Sequence, residues 1–293
     1  MRRILLTGAG PDGFVGRNLK ESFCGKYELF TPDKAELDLR NYNDLKCYID
    51  EKQINFVINC AIHNPKPGED NIELESDLRM YYNFAKLKDR FEKIIYFGSG
   101  AEFDKSFPIQ MITEDDFGRS IPETSYGFAK YIMNDHARSS DRIYNLRLFG
   151  IFGKYELWPV KFISNLCCKA VFGLPLTIRQ NCKFDFLYIE DLPSIIEWFI
   201  NNKPDYHDYN VCYGEPVELI ELAEMVKEVS GKNLDIIIFN EGYNLEYTAS
   251  NVRLKNQIPG LKLTDFHTAI EDLYSYYCNH KEIIDIQVLK ESK

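Results

Sequence analysis

The chain has 293 residues, 45% hydrophobic and 14% aromatic, enough to bury a sizeable core in one large or two small domains. Its 45 acidic residues outnumber 35 basic ones, for a formal net charge of −10 with no basic block. That balance argues against nucleic acid or an acidic membrane surface as a partner, while leaving room for a local basic site that takes an anionic substrate. The eight cysteines are scattered, with none in a CxxC pair. Several lie in apolar runs such as Val57-Ile58-Asn59-Cys60-Ala61, and they read as reduced core thiols of a cytoplasmic protein with no metal site. The apolar run after Met1-Arg2-Arg3 stops at Thr7-Gly8, too short for a signal peptide, and no stretch is apolar enough for a membrane span.

In chain order, Ile4–Thr7 reads as a buried strand, Gly13–Phe23 as a helix, Tyr27–Thr31 as a strand and Asn43–Glu51 as a helix. The strand Asn55–Ala61, the helix Leu74–Lys88, the strand Lys93–Gly98, the helix Ser125–Ser139 and the strand Ile143–Phe149 continue the alternation. Such alternation predicts an α/β fold, a Rossmann-type doubly wound parallel sheet with helices on both faces. Beyond it, Pro159–Phe172 reads as helix, Phe184–Ile189 as a strand feeding the helix Leu192–Asn201, and Tyr209–Cys212 as a short strand. A helix over Pro216–Ser230, a strand over Leu234–Phe239, a last helix over Asp265–Tyr277 and a charged, fraying tail complete the pattern. The expected division is a dinucleotide-binding unit over 1–153 plus about 184–205, and a smaller mixed α/β substrate lobe over 154–183 plus 206–293.

Two local motifs carry chemistry. Thr7-Gly8-Ala9-Gly10-Pro11-Asp12-Gly13-Phe14-Val15-Gly16 lies between the first strand and the first helix. Glycines there permit a tight turn and close approach to a pyrophosphate, and the helix N-terminus presents free N–H groups to the phosphates. Candidate cofactor contacts are therefore Gly8, Gly10, Asp12, Gly13, Phe14, Val15 and Gly16. At the second strand's exit, Thr31-Pro32-Asp33-Lys34 offers an acid for a ribose hydroxyl and a base for a 2′-phosphate; Lys34 inclines the reading to NADP(H), with NAD(H) possible. Tyr126 and Lys130, four residues apart on one helix face, are the second motif. An ammonium beside a phenol stabilises the phenolate, which makes the pair a proton donor at neutral pH.

With the glycine turn, Ser99 and Tyr126/Lys130 together, the chain resembles the extended short-chain dehydrogenase/reductase family, and within it the enzymes acting on nucleotide-activated sugars. The resemblance covers nearly the whole chain. It implies Ser99, Tyr126 and Lys130 as the catalytic trio, with Ser99 holding the reacting oxygen. It adds Asp38, Cys60, Ala61 and Lys130 to the cofactor contacts. It also implies a nucleotide-sugar substrate and a homodimer packed through helices including that of Tyr126. Two extra residues separate Gly8 from Gly13 relative to the family turn. The family's dehydratases carry an Asp-Glu pair where this chain has Gly100 and Ala101, and its fucose-synthase branch uses a Cys at the Ala101 position and a His that Leu157–Phe162 lacks. Dehydration and double epimerisation are therefore not expected. A family Asn is replaced by Gly150 and a diphosphate-clasping Arg by Phe184, leaving Arg179 or Lys183 to hold phosphate. Gly100, Ala101, His63 and Thr124 complete the candidate substrate contacts, and Tyr155 or Trp158 are candidates to stack on a base. The run Glu114-Asp115-Asp116 reads as a solvated face. The expected activity is NAD(P)H-dependent reduction of the C4 ketone of a 4-keto-6-deoxy sugar. The alternatives are a 4-epimerase with retained NAD and, behind it, a non-catalytic NAD(P)-binding sensor.

Overall fold

The computed structural model describes residues 2–63 and 70–292. Its elements are β1 (Arg3–Thr7), α1 (Val15–Phe23), β2 (Glu28–Phe30), α2 (Tyr42–Lys52), β3 (Phe56–Asn59), α3 (Asp70–Lys86), β4 (Lys93–Ser99), β5 (Ile109–Ile112), α4 (Ser125–Arg138), β6 (Ile143–Leu148) and β7 (Gly150–Phe152). There follow α5 (Phe162–Val171), β8 (Leu176–Asn181), β9 (Lys183–Phe184), β10 (Phe186–Tyr188), α6 (Leu192–Asn201), β11 (Asp208–Val211), β12 (Val217–Glu218), α7 (Leu219–Ser230), β13 (Ile236–Tyr243), β14 (Tyr247–Ala249), α8 (Val252–Gln257), α9 (Phe266–Asn279) and α10 (Ile286–Glu291).

Six strands in the order β11-β6-β4-β3-β1-β2 form the central sheet, and every pairing in it is parallel. The order reverses direction at β1, as a doubly wound sheet requires. Successive strand residues point to opposite faces, so a sheet covered on both sides needs continuous apolar runs. Ile4, Leu6, Phe56, Ile58, Ile95 and Phe97 pack on one side with Leu19 and Phe23 of α1 and Ile195, Ile196 and Phe199 of α6. Leu5, Val57, Ile94 and Tyr96 pack on the other with Leu45 of α2, Phe84 of α3 and Met133 of α4. Outside this sheet, β12-β9-β14-β5 form a four-stranded sheet, β10 pairs with β7, and β13 with β8.

Several expectations change. The strand expected over Phe184–Ile189 breaks at Asp185, whose carboxylate accepts the backbone N–H groups of Tyr213 and Gly214 at 2.8 and 2.9 Å. The strand near Tyr209–Cys212, expected in the second lobe, is the edge of the central sheet beside β6, with Tyr209 opposite Leu146. The tail does not fray up to Ser292: Leu289 is fully buried, and Ser292 takes hydrogen bonds from Asn165 and Lys169 of α5 at 2.8 Å each. Cys24 and Cys47 are exposed, although the other free thiols are buried or partly so. No helix among the described residues is long and apolar enough to cross a membrane.

A buried polar network ties the sheet to the turn after β4. Arg147 of β6 and Glu102 of that turn are both fully buried and pair at 2.8 Å. Glu102 also accepts Ser99 N–H at 3.1 Å and the Asn145 amide at 3.1 Å. Arg147 reaches on to Asn210 at 2.8 Å and Asp208 at 3.1 Å on β11. Glu114, read from sequence as part of a solvated face, is buried here too and accepts Asn210 N–H at 2.7 Å, while its neighbour Asp115 is exposed. Gly98 makes room for the network, since a Cβ there would lie 2.2 Å from both Glu102 Oε1 and Asn145 Oδ1.

Two predictions follow from these buried acids. Glu102→Ala strands the Arg147 guanidinium without its main counter-charge, and urea denaturation is expected to show a loss of about 3–5 kcal/mol; a loss below ~1 kcal/mol would show that water or another group takes over. Glu156, between β7 and α5, accepts the Ser164 hydroxyl at 2.6 Å, and burial pushes its carboxyl up from 4.5 to about 7. A raised folded-state value means stability present below 4.5 and lost as the pH rises through about 7. Glu156→Gln, which keeps the uncharged form, is expected to flatten the fall in urea midpoint between about pH 5 and about pH 8. An unchanged slope would refute this.

Candidate active site

The glycine turn is built by contact as much as by conformation. Gly8 has φ 64, and a Cβ on it would meet the Cys60 backbone at 2.8 Å. A Cβ on Gly13 or Gly16 would lie 2.0 or 2.3 Å from the Gly8 carbonyl oxygen. Gly10 has open space around its Cα, so the steric trio is Gly8, Gly13 and Gly16. The two extra residues are absorbed by a turn in which Gly13 N–H donates to the Gly10 carbonyl at 3.0 Å. Helix α1 then starts at Val15 after Phe14, with no side chain capping it and no acid in its first turn. Its N-terminal N–H groups and partial positive charge are thus left for an anion.

Beside this turn, the Thr7 hydroxyl and Asn59 Oδ1 lie 2.6 Å apart, and each accepts from Ala61 N–H, which fixes the tip of β3. At the exit of β2, Asp33 Oδ1 accepts the N–H groups of Ala35 and Glu36 at 2.8 Å each, while Lys34 is exposed. Asp38 is held by a two-pronged pair with Arg40, at 2.7 Å from Nη2 and 3.0 Å from Nε, which lowers its carboxyl to about 2. Arg40 went unnoticed in the sequence, where Asp38-Leu39-Arg40 gives no sign that the two charges engage each other.

Ser99 ends β4, and the chain then turns tightly over Gly100–Phe103 with Ser99 Oγ accepting Ala101 N–H at 3.2 Å. Helix α4 begins two residues after Glu123, with Thr124 as its N-cap accepting Gly127 N–H at 3.1 Å. Thr124 is therefore a capping residue. A Cβ on Gly127 would lie 2.8 Å from the Ala101 carbonyl, so only glycine lets the first turn of α4 settle against the Ser99 segment. That contact brings the half-buried Tyr126 to the edge where Ser99 stands. One helical turn on, the buried Lys130 ammonium lies 5.6 Å from the Tyr126 ring centre and donates to the Phe97 carbonyl at 3.0 Å.

Lys130 also lines a small cleft with Asn59, Cys60, Ala61, Ile62, Phe97 and Asp77. Asp77 of α3, which the sequence reading missed, is buried, and its Oδ1 accepts His63 N–H at 2.7 Å. Its Oδ2 is buried with no hydrogen-bond partner among the described residues. Burial raises its carboxyl, against the pull of Lys130. A lone aspartate within a long amphipathic helix carries no sequence signal of this role.

The remaining candidates separate. His63 adjoins the cleft through Asp77. Lys183 on β9 lines a separate cleft of about 270 Å³ with Gln110, Tyr243 and Glu246. Arg179 is exposed on β8, in the pair formed with β13. Trp158 packs against the core. The Arg17 guanidinium lies 3.5 Å over the Tyr155 ring and covers that face. Phe184 fills the space left by Gly150, where a Cβ would lie 2.8 Å from its ring. Tyr247 of β14 was not singled out in the sequence, yet its hydroxyl reaches Gly100, where a Cβ would lie 2.4 Å away. No cluster of metal-ligating side chains occurs among the described residues.

The chain has relatives among known proteins. GDP-L-colitose synthase of Yersinia pseudotuberculosis is 22% identical over 310 aligned positions, covering 95% of this chain and 99% of that one. The structure of a GDP-L-fucose synthetase from Naegleria fowleri bound to NADP superposes with a TM-score of 0.82 at 17% identity, covering 95% of this chain and 93% of that one. A GDP-mannoheptose C4 reductase from Campylobacter jejuni with NADP bound gives a TM-score of 0.78 at 15% identity, covering 94% of this chain and 98% of that one. Residues 4–212 match the model of the NAD dependent epimerase/dehydratase family, and the chain belongs to that family.

Proposed function

We propose that the protein is an NAD(P)H-dependent reductase acting on the C4 ketone of a nucleotide-activated 4-keto-6-deoxy sugar. The observation that carries this reading is the gathering of Ser99, Tyr126 and Lys130 around the Gly100–Phe103 turn, with Gly100 and Ala101 in place of a second acid–base pair. Proton transfer to one oxygen is then the only acid–base step these side chains serve. The named C4 reductase among the structural neighbours is consistent with it.

The residues fit a dinucleotide. The cradle of Gly8, Gly13 and Gly16 and the uncapped start of α1 suit a pyrophosphate, with Gly10, Asp12, Phe14 and Val15 along its path. Cys60, Ala61 and Lys130 line the cleft for a ribose, and the spare Asp77 oxygen can take a ribose hydroxyl. On this reading Asp38, held by Arg40, belongs to the adenine end of the cofactor site. The nicotinamide, when bound, supplies the hydride. Ser99 holds the carbonyl oxygen by hydrogen bond, Tyr126 gives that oxygen its proton, and the Lys130 ammonium compensates the charge left behind. Because Asp33 spends one oxygen on its own turn and Lys34 is exposed, NADPH is the preferred cofactor. Lys183 and Arg179 remain the cations for the substrate's diphosphate, with Lys183 favoured by its position in a cleft.

The purified protein is expected to oxidise NADPH with at least one 4-keto nucleotide sugar, and Tyr126→Phe to lower kcat by roughly a hundredfold or more. Absence of turnover with every such sugar refutes the reading. Co-purification with stoichiometric NAD⁺ and no net redox turnover would identify a 4-epimerase instead. Lys34→Glu is expected to raise KM for NADPH about tenfold while sparing NADH; equal effects on both cofactors would remove Lys34 from the 2′-phosphate site.

A further inference from the structure

The outer sheet β12-β9-β14-β5 has two faces with different surroundings. Phe184, Tyr247 and Ile109 stand side by side in its register, Tyr247 pairing with both of the others. Tyr247 and Ile109 are buried, and Phe184 is partly so. Strand residues alternate between faces, so Lys183, Glu246 and Gln110, each one position along, belong to the opposite face. Those three line the separate cleft of about 270 Å³. The Tyr247 face is the one that looks toward the reaction centre. A Cβ on Gly100, the residue after Ser99, would lie 2.4 Å from the Tyr247 oxygen.

Lys105 supplies a cation on that inner side, its ammonium 4.3 Å over the Tyr247 ring. The segment that carries it leaves the Ser99 turn and is held at both ends. Asp104 takes a positive φ of 65, its N–H donates to the Ala101 carbonyl at 3.3 Å, and Phe107 N–H donates to the Asp104 carbonyl at 3.3 Å. Ile109 N–H then donates to the Glu246 carbonyl at 2.9 Å. The neighbouring acid is spent, because the buried Asp104 carboxylate accepts the Ser120 hydroxyl at 2.7 Å and Ser106 N–H at 3.0 Å. Lys105 itself is exposed, and among the described residues it forms no ion pair and donates no hydrogen bond. Its three N–H donors are left for a ligand.

A nucleotide-activated sugar carries its diphosphate on the anomeric carbon, across the pyranose ring from C4. The cation for that diphosphate must therefore stand one sugar ring away from the group that holds the C4 oxygen. Tyr247 spans such a gap, with its hydroxyl at the Ser99 turn and its ring beneath Lys105. We propose that Lys105 binds the substrate's diphosphate, ahead of Lys183, whose cleft lies on the opposite face of the sheet and contains Glu246. This rests on the nucleotide-sugar reading above. An ammonium with no protein counter-charge is what an anionic ligand needs on a chain of net charge −10.

The test is calorimetric binding of GDP, UDP, dTDP and CDP to the NADPH-loaded protein, followed by variants measured with the diphosphate that binds best. Lys105→Met keeps the stem over the ring and removes the charge. It is expected to weaken that diphosphate about tenfold or more, with the affinity for NADPH and the melting temperature nearly unchanged. Lys105→Arg is expected to stay within about threefold of the wild type, and Lys183→Met within about twofold. With a 4-keto sugar that the wild type reduces, Lys105→Met is expected to raise KM for the sugar and leave kcat within about twofold. An unchanged diphosphate affinity in Lys105→Met, an equal loss for NADPH, or a loss carried by Lys183→Met instead overturns the proposal. A wild type that binds none of the four diphosphates overturns the nucleotide-sugar reading and this proposal with it. A wild type that binds one but reduces no 4-keto sugar overturns the reductase reading alone, and the binding data on the variants still decide on Lys105.

Discussion

The pairing of Glu102 with Arg147, both without solvent contact, is the constraint on which the active-site edge depends. Two charges removed from water are tolerable only when their remaining hydrogen-bonding capacity is met. Here it is met by groups that define the site. Glu102 spends one oxygen on the backbone N–H of Ser99, so the strand end carrying the serine is anchored to a buried charge. Arg147 spends its other nitrogens on Asp208 and Asn210, which fastens the last strand of the sheet. One ion pair thus sets both the position of Ser99 and the addition of β11, coupling sheet completion to catalytic geometry.

The same edge is also shaped by exclusion of side chains. Gly8, Gly13 and Gly16 bring three backbone segments into contact, and Gly127 does the same for α4 against the Ser99 turn. In each case any Cβ would sit well inside contact distance of a backbone oxygen, a collision that rigid main chain cannot relieve. The phosphate cradle and the placement of Tyr126 are thus products of absent atoms as much as of present ones.

Much of this was legible in the sequence. Continuous Ile/Leu/Val runs alternating with helices marked the parallel sheet, because a strand buried on both faces leaves that pattern. The turn before α1 and the spacing of Tyr126 and Lys130 are local signals, and local signals survive in sequence. What was not legible is what depends on distant partners. Glu114 reads as solvated at the head of a run of three acids, and only β11 and Arg253 show why it is buried. Asp185 splits a strand because Tyr213 and Gly214, far along the chain, offer it their N–H groups. Asp77 and Tyr247 carry no local signal, and their nearness to Lys130 and Gly100 arises only when α3 and the outer sheet are packed in place.

Gly150 and Phe184 lie far apart in sequence, but in space they form one contact. The phenyl ring stands where a side chain at 150 would have to go, and Phe186 and the Asp185 carbonyl close the remaining space at 2.5 and 2.6 Å from a Cβ. Neither position accepts a larger or charged side chain alone. A larger residue at 150 meets the ring, and an arginine at 184 leaves a hole beside Phe186 and Tyr247 and buries a charge among aromatic side chains. The two positions are thus coupled through packing: the Phe184 ring and the missing side chain at 150 share one space.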